Sequence, residues 1–226
     1  MQQSHIVLLS NYILFCEQLQ DVVKKYLNLK IAKDKNDVSF LKGILDIPND
    51  KKEIVQSFLI EIHYCPGFPF RFPFLFEVGE IIPNDVNWHK YEFGMGNCCI
   101  TVLPDEIINC KNGISVFLFI EKYAIPYFAN HIHRIVTGHY KNGEYAHDGK
   151  GFSQFYENLF KSDNKDLWIR YFKNTFSNLK VECDRNDKCF CGADKKYKHC
   201  HLEIFNSLKL IGEEQVLKDF KLIFSK

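Results

Sequence analysis

Ile60-Glu-Ile-His-Tyr-Cys-Pro-Gly-Phe-Pro-Phe-Arg-Phe-Pro-Phe-Leu-Phe-Glu-Val78 is the stretch on which the fold turns. Its first residues continue a β-branched and aromatic run that begins at Ile54 and predicts a strand over 53–64. Pro66, Pro69 and Pro73 exclude helix and favour extended chain leading into a further strand. Upstream, Phe40, Leu41, Ile44, Leu45 and Ile47 predict a strand over 40–47, joined to 53–64 by a charged turn at 48–52. Ahead of these, Ile13, Leu14, Leu19, Val22, Val23 and Tyr26 fall at helical spacing and predict an amphipathic helix over 11–29. Downstream, 81–98 has no helical period and reads as an irregular loop. Helices are expected at 115–130, with Ser115 as N-cap, at 154–160 and at 165–179. A polar linker follows at 181–187, then one or two short helices over 202–226. Residues 138–149, with Asn142-Gly143 and Asp148-Gly149, read as an exposed loop. The fold class is α+β.

The 226 residues suffice for one sizeable core with an appendage, or for two small domains. Apolar residues at 46%, including 21 Phe, can fill a packed interior and argue against disorder. A net charge of +1, from 29 basic and 28 acidic residues, predicts neither a nucleic-acid stripe nor an acidic tail. No run reaches the ~20 apolar residues of a membrane helix, and the N-terminus lacks a basic flank and cleavage site. Nine cysteines is an odd number, and their clustering suits a reducing cytoplasm better than a disulfide framework.

Cys189-Phe-Cys-Gly-Ala-Asp-Lys-Lys-Tyr-Lys-His-Cys-His201 sets two thiols on either side of one residue and, after eight intervening residues, a thiol beside an imidazole. Four such ligands suit one tetrahedral zinc ion, and Gly192 lets the chain turn so that both pairs reach it. A segment this short cannot bury a core, so metal binding would supply most of its folding energy. Four protein ligands leave no open position, which makes Cys189, Cys191, Cys200 and His201 a structural site. His199 is out of register and reads as exposed. From Arg185 to His201 the sequence resembles the SEC-C motif, the zinc-binding tail of bacterial SecA that is fused to many other bacterial proteins. The resemblance implies that Lys195, Lys196 and Lys198 serve docking on proteins or ribosomes.

Cys98 and Cys99 follow Gly94-Met-Gly-Asn97, and in extended chain their side chains point to opposite faces. One is therefore more buried than the other, and His89 lies ten residues before Cys99. On the residues alone, a nucleophilic cysteine near a histidine and a pair of buried structural cysteines both stand open. His131 and His133 splay apart on a helix and read as surface or helix-end residues.

Pro69-Phe-Arg-Phe-Pro73, His89-Lys-Tyr91 and Gly96-Asn-Cys-Cys-Ile100 are similar to three signatures of ubiquitin-conjugating enzymes: Pro-Phe-x-x-Pro, His-Pro-Asn and Gly-x-Ile-Cys-Leu. The resemblance spans most of 1–160 and implies the conjugating fold, an N-terminal helix, an antiparallel meander and C-terminal helices. It also implies that Cys99 carries a thioester, with Cys98 a small core residue and His89 a loop residue. Tyr91 stands where the family has Asn, a residue that steadies the loop or the oxyanion, and Lys90 where it has Pro. The divisions this implies are a conjugating-like domain at 1–180, a zinc module at 181–204 and a helical tail at 205–226. Together with 60–78 and Asn87-Trp-His89, the chain resembles the conjugating-like proteins of bacterial antiviral operons of the CBASS type. That resemblance implies a protein partner, a nucleotidyltransferase of the CD-NTase type joined through its C-terminus. The alternative is a conjugating-like module without turnover that grips its partner and docks through the zinc tail.

Overall fold

The computed structural model describes residues 2–91, 95–141, 145–176, 184–189 and 191–225, with backbone alone at 2–7 and 148. The strands expected at 40–47 and 53–64 form as β2 (Ser39–Pro48) and β3 (Ile54–His63). Between them the Asn49 carboxamide oxygen accepts the N–H groups of Lys51 and Glu53 at 2.9 and 3.0 Å, which closes the turn. The proline-rich stretch delivers the chain into β4 (Phe74–Glu77). One further strand, β1 (Leu29–Lys33), was not expected and completes an antiparallel meander in the order β1-β2-β3-β4. Gly43 allows β1 to start here: a Cβ at this position would lie 2.1 Å from the Asn28 carbonyl oxygen.

Alternation along the strands buries Leu41, Leu45, Ile47, Phe58, Ile60, Ile62 and Leu75. The helix expected at 11–29 is α1 (Gln2–Lys25), which ends four residues early because Leu29 opens β1. Phe15, Leu19 and Val22 are buried on α1 at helical spacing, and the Phe15 ring meets Phe68 edge-on at 5.5 Å.

The helix expected at 115–130 is longer and interrupted. Ser115 caps α3 (Val116–Phe119) by accepting the Leu118 N–H. A π-helical turn at Ile120–Ala124 follows, then α4 (Ile125–Thr137). Pro126 explains the interruption: it has no N–H for the normal ladder, and the Ile125 N–H reaches back to the Ile120 carbonyl instead. α4 covers the sheet through Phe128, whose ring stacks on Phe58 at 4.4 Å.

The chain divides into two units, Met1–Thr101 with Asn112–Glu144, and Val102–Lys111 with Tyr145–Lys226. α5 (Asp148–Phe160), α6 (Lys165–Phe176), α7 (Leu202–Ile211) and α8 (Glu213–Phe224) share one core. Tyr156, Phe160, Trp168 and Tyr171 on the earlier pair need apolar partners, and Leu208, Val216 and Phe220 on the later pair provide them. A short helix absent from the sequence reading, α2 (Leu103–Asn109), belongs to this unit. Asp148-Gly149 lies in the first turn of α5 rather than in a loop. A Cβ on Gly149 would meet the Leu222 carbonyl oxygen at 2.5 Å, so close packing of the two helices demands glycine there. Asn142-Gly143, residues 177–180 and the start of the expected linker lie outside the described residues. Among the described residues no helix is long and apolar enough to cross a membrane.

Asp219 is fully buried in the helical unit, where its carboxylate accepts the Tyr156 hydroxyl at 2.9 Å and the Gln215 amide at 2.7 Å. Burial holds its pKa above the usual carboxylate range. A raised pKa contributes stability in acid that is lost as pH rises through it. Asp219→Asn is therefore expected to stabilise the helical unit by about 1 kcal/mol at pH 8, with the gain shrinking as the pH falls and the carboxylate takes up its proton. Urea unfolding followed by Trp168 fluorescence in a Trp88→Phe background checks this, and a loss of stability at pH 8 contradicts it.

Candidate functional site

The first cluster is the cysteine loop of the sheet unit. A 3-10 turn at Val86–Trp88, capped by the Asp85 carboxylate on the Asn87 N–H, ends at His89 in the left-handed conformation (φ 50°). The chain returns antiparallel: Lys90 bridges Cys98, the Tyr91 N–H donates to the Asn97 carbonyl, and the Cys99 N–H donates to the His89 carbonyl at 2.7 Å. His89 and Cys99 therefore meet through the main chain. The Cys98 N–H donates to the Leu75 carbonyl, which fastens the loop to β4.

The two cysteines differ as their alternation requires. Cys98 is 5% exposed, and burial pushes its thiol up to about 12, so it stays protonated and inert at neutral pH. Cys99 is half-buried and the more open of the two. Tyr91 is exposed, and its main chain pairs across the loop.

Several residues around the loop gave no signal in sequence. Lys90 is buried, its ammonium 3.4 Å from Glu77 Oε2 and within 3.3 Å of the Glu77 and Ile82 carbonyls. The buried Glu77 carboxylate also accepts the N–H groups of Gly79, Ile81 and Ile82. The position where the resembled family has proline is thus an internal ion pair. On α4, the Tyr127 hydroxyl donates to the His89 carbonyl at 3.0 Å and hydrogen-bonds the Cys98 sulfur. His131, expected at the surface, is 1% exposed. Its Nδ1 lies 2.9 Å from the Tyr127 carbonyl, and its Nε2 lies 3.0 Å from both the Trp88 carbonyl and the Tyr140 hydroxyl. Burial lowers the His131 pKa, which favours the neutral ring. His131 is buried because α4 presents Tyr127 and His131 at i, i+4 to the loop, whereas His133 lies half-buried on another face with Nδ1 against the His139 carbonyl.

The second cluster lies in the helical unit. Gly192, with φ 85°, turns the chain after Cys191, and a 3-10 turn at Tyr197–His199 sets Cys200 and His201 just ahead of α7. Lys188 bridges Lys196, and the Cys189 N–H donates to the Lys195 carbonyl. These bonds bring the ligand atoms of Cys189, Cys191, Cys200 and His201 within 4.8 Å of one another. Cys189 Sγ stands 3.0 Å from His201 Nδ1, Cys200 Sγ 3.3 Å from the same nitrogen, and Cys191 Sγ 3.6 Å from Cys200 Sγ. A tetrahedron with arms of ~2.3 Å has edges of ~3.8 Å, so the donor set fits one zinc ion. The Ala193 N–H points at Cys191 Sγ at 3.4 Å, as a donor does toward a metal-bound thiolate. His199 is exposed and outside the set.

Residues 185–203 match the SEC-C motif. The protein translocase subunit SecA of Ehrlichia ruminantium (strain Welgevonden) is 43% identical over 47 residues, a match covering 21% of this chain and 5% of SecA. The chain thus spans a small fraction of that relative's length. No solved structure matches the chain.

The SEC-C segment is not isolated in the fold. His201 directly precedes α7, and its ring lies 4.6 Å from that of Tyr171 on α6. Burial pushes the Cys189 thiol up to about 12, raises Cys200 and lowers His201, so without a cation those two sulfurs keep their protons and the ring is neutral, whereas hydrogen bonds, the Ala193 N–H among them, hold the Cys191 thiol below its usual value. When bound, a divalent ion supplies the positive charge that releases those protons and crosslinks the two ends of the knuckle.

Proposed function

We infer that the chain is a ubiquitin-conjugating-like protein that carries a thioester on Cys99. The observation that carries the reading is the division of labour between adjacent cysteines. Cys98 is locked inside the sheet unit, while Cys99 is left the more accessible sulfur. The element order supports it too: N-terminal helix, four-stranded meander, cysteine loop, then α4 across the sheet. The Cys99 thiolate attacks the activated C-terminal carbonyl of a protein partner. A new carbon–sulfur bond forms, the activating group leaves, and an acceptor nucleophile later displaces Cys99. By the resemblance of its motifs, the partner is a CD-NTase-type nucleotidyltransferase in a bacterial antiviral operon of the CBASS type. The SEC-C knuckle holds a structural zinc ion and offers Lys195, Lys196 and Lys198 for docking.

The second reading is a gripping module without turnover. One observation favours it: Tyr91, at the position of the family's Asn, is 47% exposed. Co-expression with the neighbouring operon proteins and a non-reducing gel separates the two. A thiol-sensitive adduct lost in Cys99→Ala and kept in Cys98→Ala is the expected result. An adduct that survives Cys99→Ala, or none under any condition, removes Cys99 as nucleophile.

A further inference from the structure

We propose that Tyr127 on α4 is the positioning residue of the cysteine loop, holding the main chain of Cys99 through the His89 carbonyl. The inference rests on the reading of Cys99 as nucleophile and adds a steadying contact from α4 to the loop. One oxygen joins the parts: the His89 carbonyl accepts the Cys99 N–H at 2.7 Å and the Tyr127 O–H at 3.0 Å. A second carbonyl, that of Trp88, lies 3.5 Å from the same hydroxyl. The anchor itself is well fixed. Tyr127 is buried, its ring lies 4.2 Å from His131, and Arg134, one turn further along α4, lies over the Trp88 ring at 4.1 Å and donates to the Asn87 carbonyl. Three residues of one helix face thus grip three consecutive residues of the turn that leads into the loop. A carbonyl with two donors resists the peptide rotation that would swing Cys99 away.

Tyr127→Phe removes the hydroxyl and keeps the ring. The test needs no identified partner: a short glycine-terminated peptide bearing a mercaptoethanesulfonate thioester is offered to the full chain. Cys99 thiolate attacks the carbonyl carbon, the new thioester forms, and mercaptoethanesulfonate leaves as thiolate. Wild-type protein should take up the peptide on Cys99, mapped by mass spectrometry. Tyr127→Phe should do so about tenfold more slowly at saturation, with the half-saturating concentration unchanged. In the same variant the Cys99 amide should exchange with deuterium faster, while the amides of β2 and β3 do not. Cys98→Ala, which removes the sulfur beside the Tyr127 hydroxyl, should match wild type in both measurements. Wild-type uptake and exchange in Tyr127→Phe overturn the proposal, as does faster exchange spread through the whole sheet, which marks a merely structural role. If wild-type Cys99 takes up no peptide, the thioester reading fails by itself. An unchanged Cys99 amide in Tyr127→Phe then sinks the positioning role separately.

Discussion

Exchanging Cys189 and Cys191 for serine, or treating the protein with a strong chelator, is expected to take bound zinc from about one ion per chain to none and to unfold residues 184–201. The expected effect is large because little else holds this segment. Among the described residues its own core is two buried residues, Cys189 and Tyr197, with a fringe of partly buried neighbours. Ordering a residue costs ~1–2 kcal/mol of backbone entropy, which so small a core cannot offset, whereas structural zinc contributes about 10–16 kcal/mol. Elemental analysis reads the metal, and hydrogen exchange reads the knuckle. Loss of protection should extend to the start of α7, since His201 adjoins it, while Trp88 in the sheet unit reports no change. Acid works in the same direction. Protons compete for three sulfurs and one imidazole, so zinc affinity falls as pH falls, the more so because burial already favours protonated Cys189. Protection of 184–201 that survives complete metal removal contradicts the structural role.

The second large effect is expected at Lys90. Removing its ammonium in Lys90→Met leaves the Glu77 carboxylate buried without a countercharge, at a cost of about 3 kcal/mol. The three backbone donors on Glu77 keep the cost near the low end of the range for broken buried pairs. The double variant Lys90→Met with Glu77→Gln should recover much of that loss, because neither charge is then stranded. An exposed pair such as Lys24–Asp21, with both side chains 74% accessible, provides the contrast and should contribute under about 1 kcal/mol. Urea unfolding followed at Trp88 in a Trp168→Phe background measures both. A Lys90→Met loss as small as the exposed pair's would show that Glu77 does not depend on the ammonium.

How far local pattern carries is visible in single elements. The hairpin at 48–52, the Ser115 cap and the Cys3His spacing are local features, each set by residues within one short segment, and each forms as read. β1 was hidden because it is five residues long and Lys33 breaks the alternation that Leu29 and Ile31 begin, so only its partner β2 makes it a strand. The π turn before Pro126 is implicit in the proline itself, which has no N–H to continue the ladder. Asp148-Gly149 carried a turn signature and proved to be a packing contact, which no local rule distinguishes.

The loop shows the same division. By itself the sequence determined that Cys98 and Cys99 face opposite ways, since extended chain alternates, and that four ligands at 189–201 can close on one ion. Only the tertiary structure decided which cysteine is buried, because that depends on where Leu75 in β4 offers its carbonyl. It likewise turned Lys90 inward to Glu77, and drew Tyr127 and His131 from about forty residues away to the carbonyls of His89 and Trp88. Burial and hydrogen bonding between distant segments are properties of packing, and packing is not written in the spacing of any one segment.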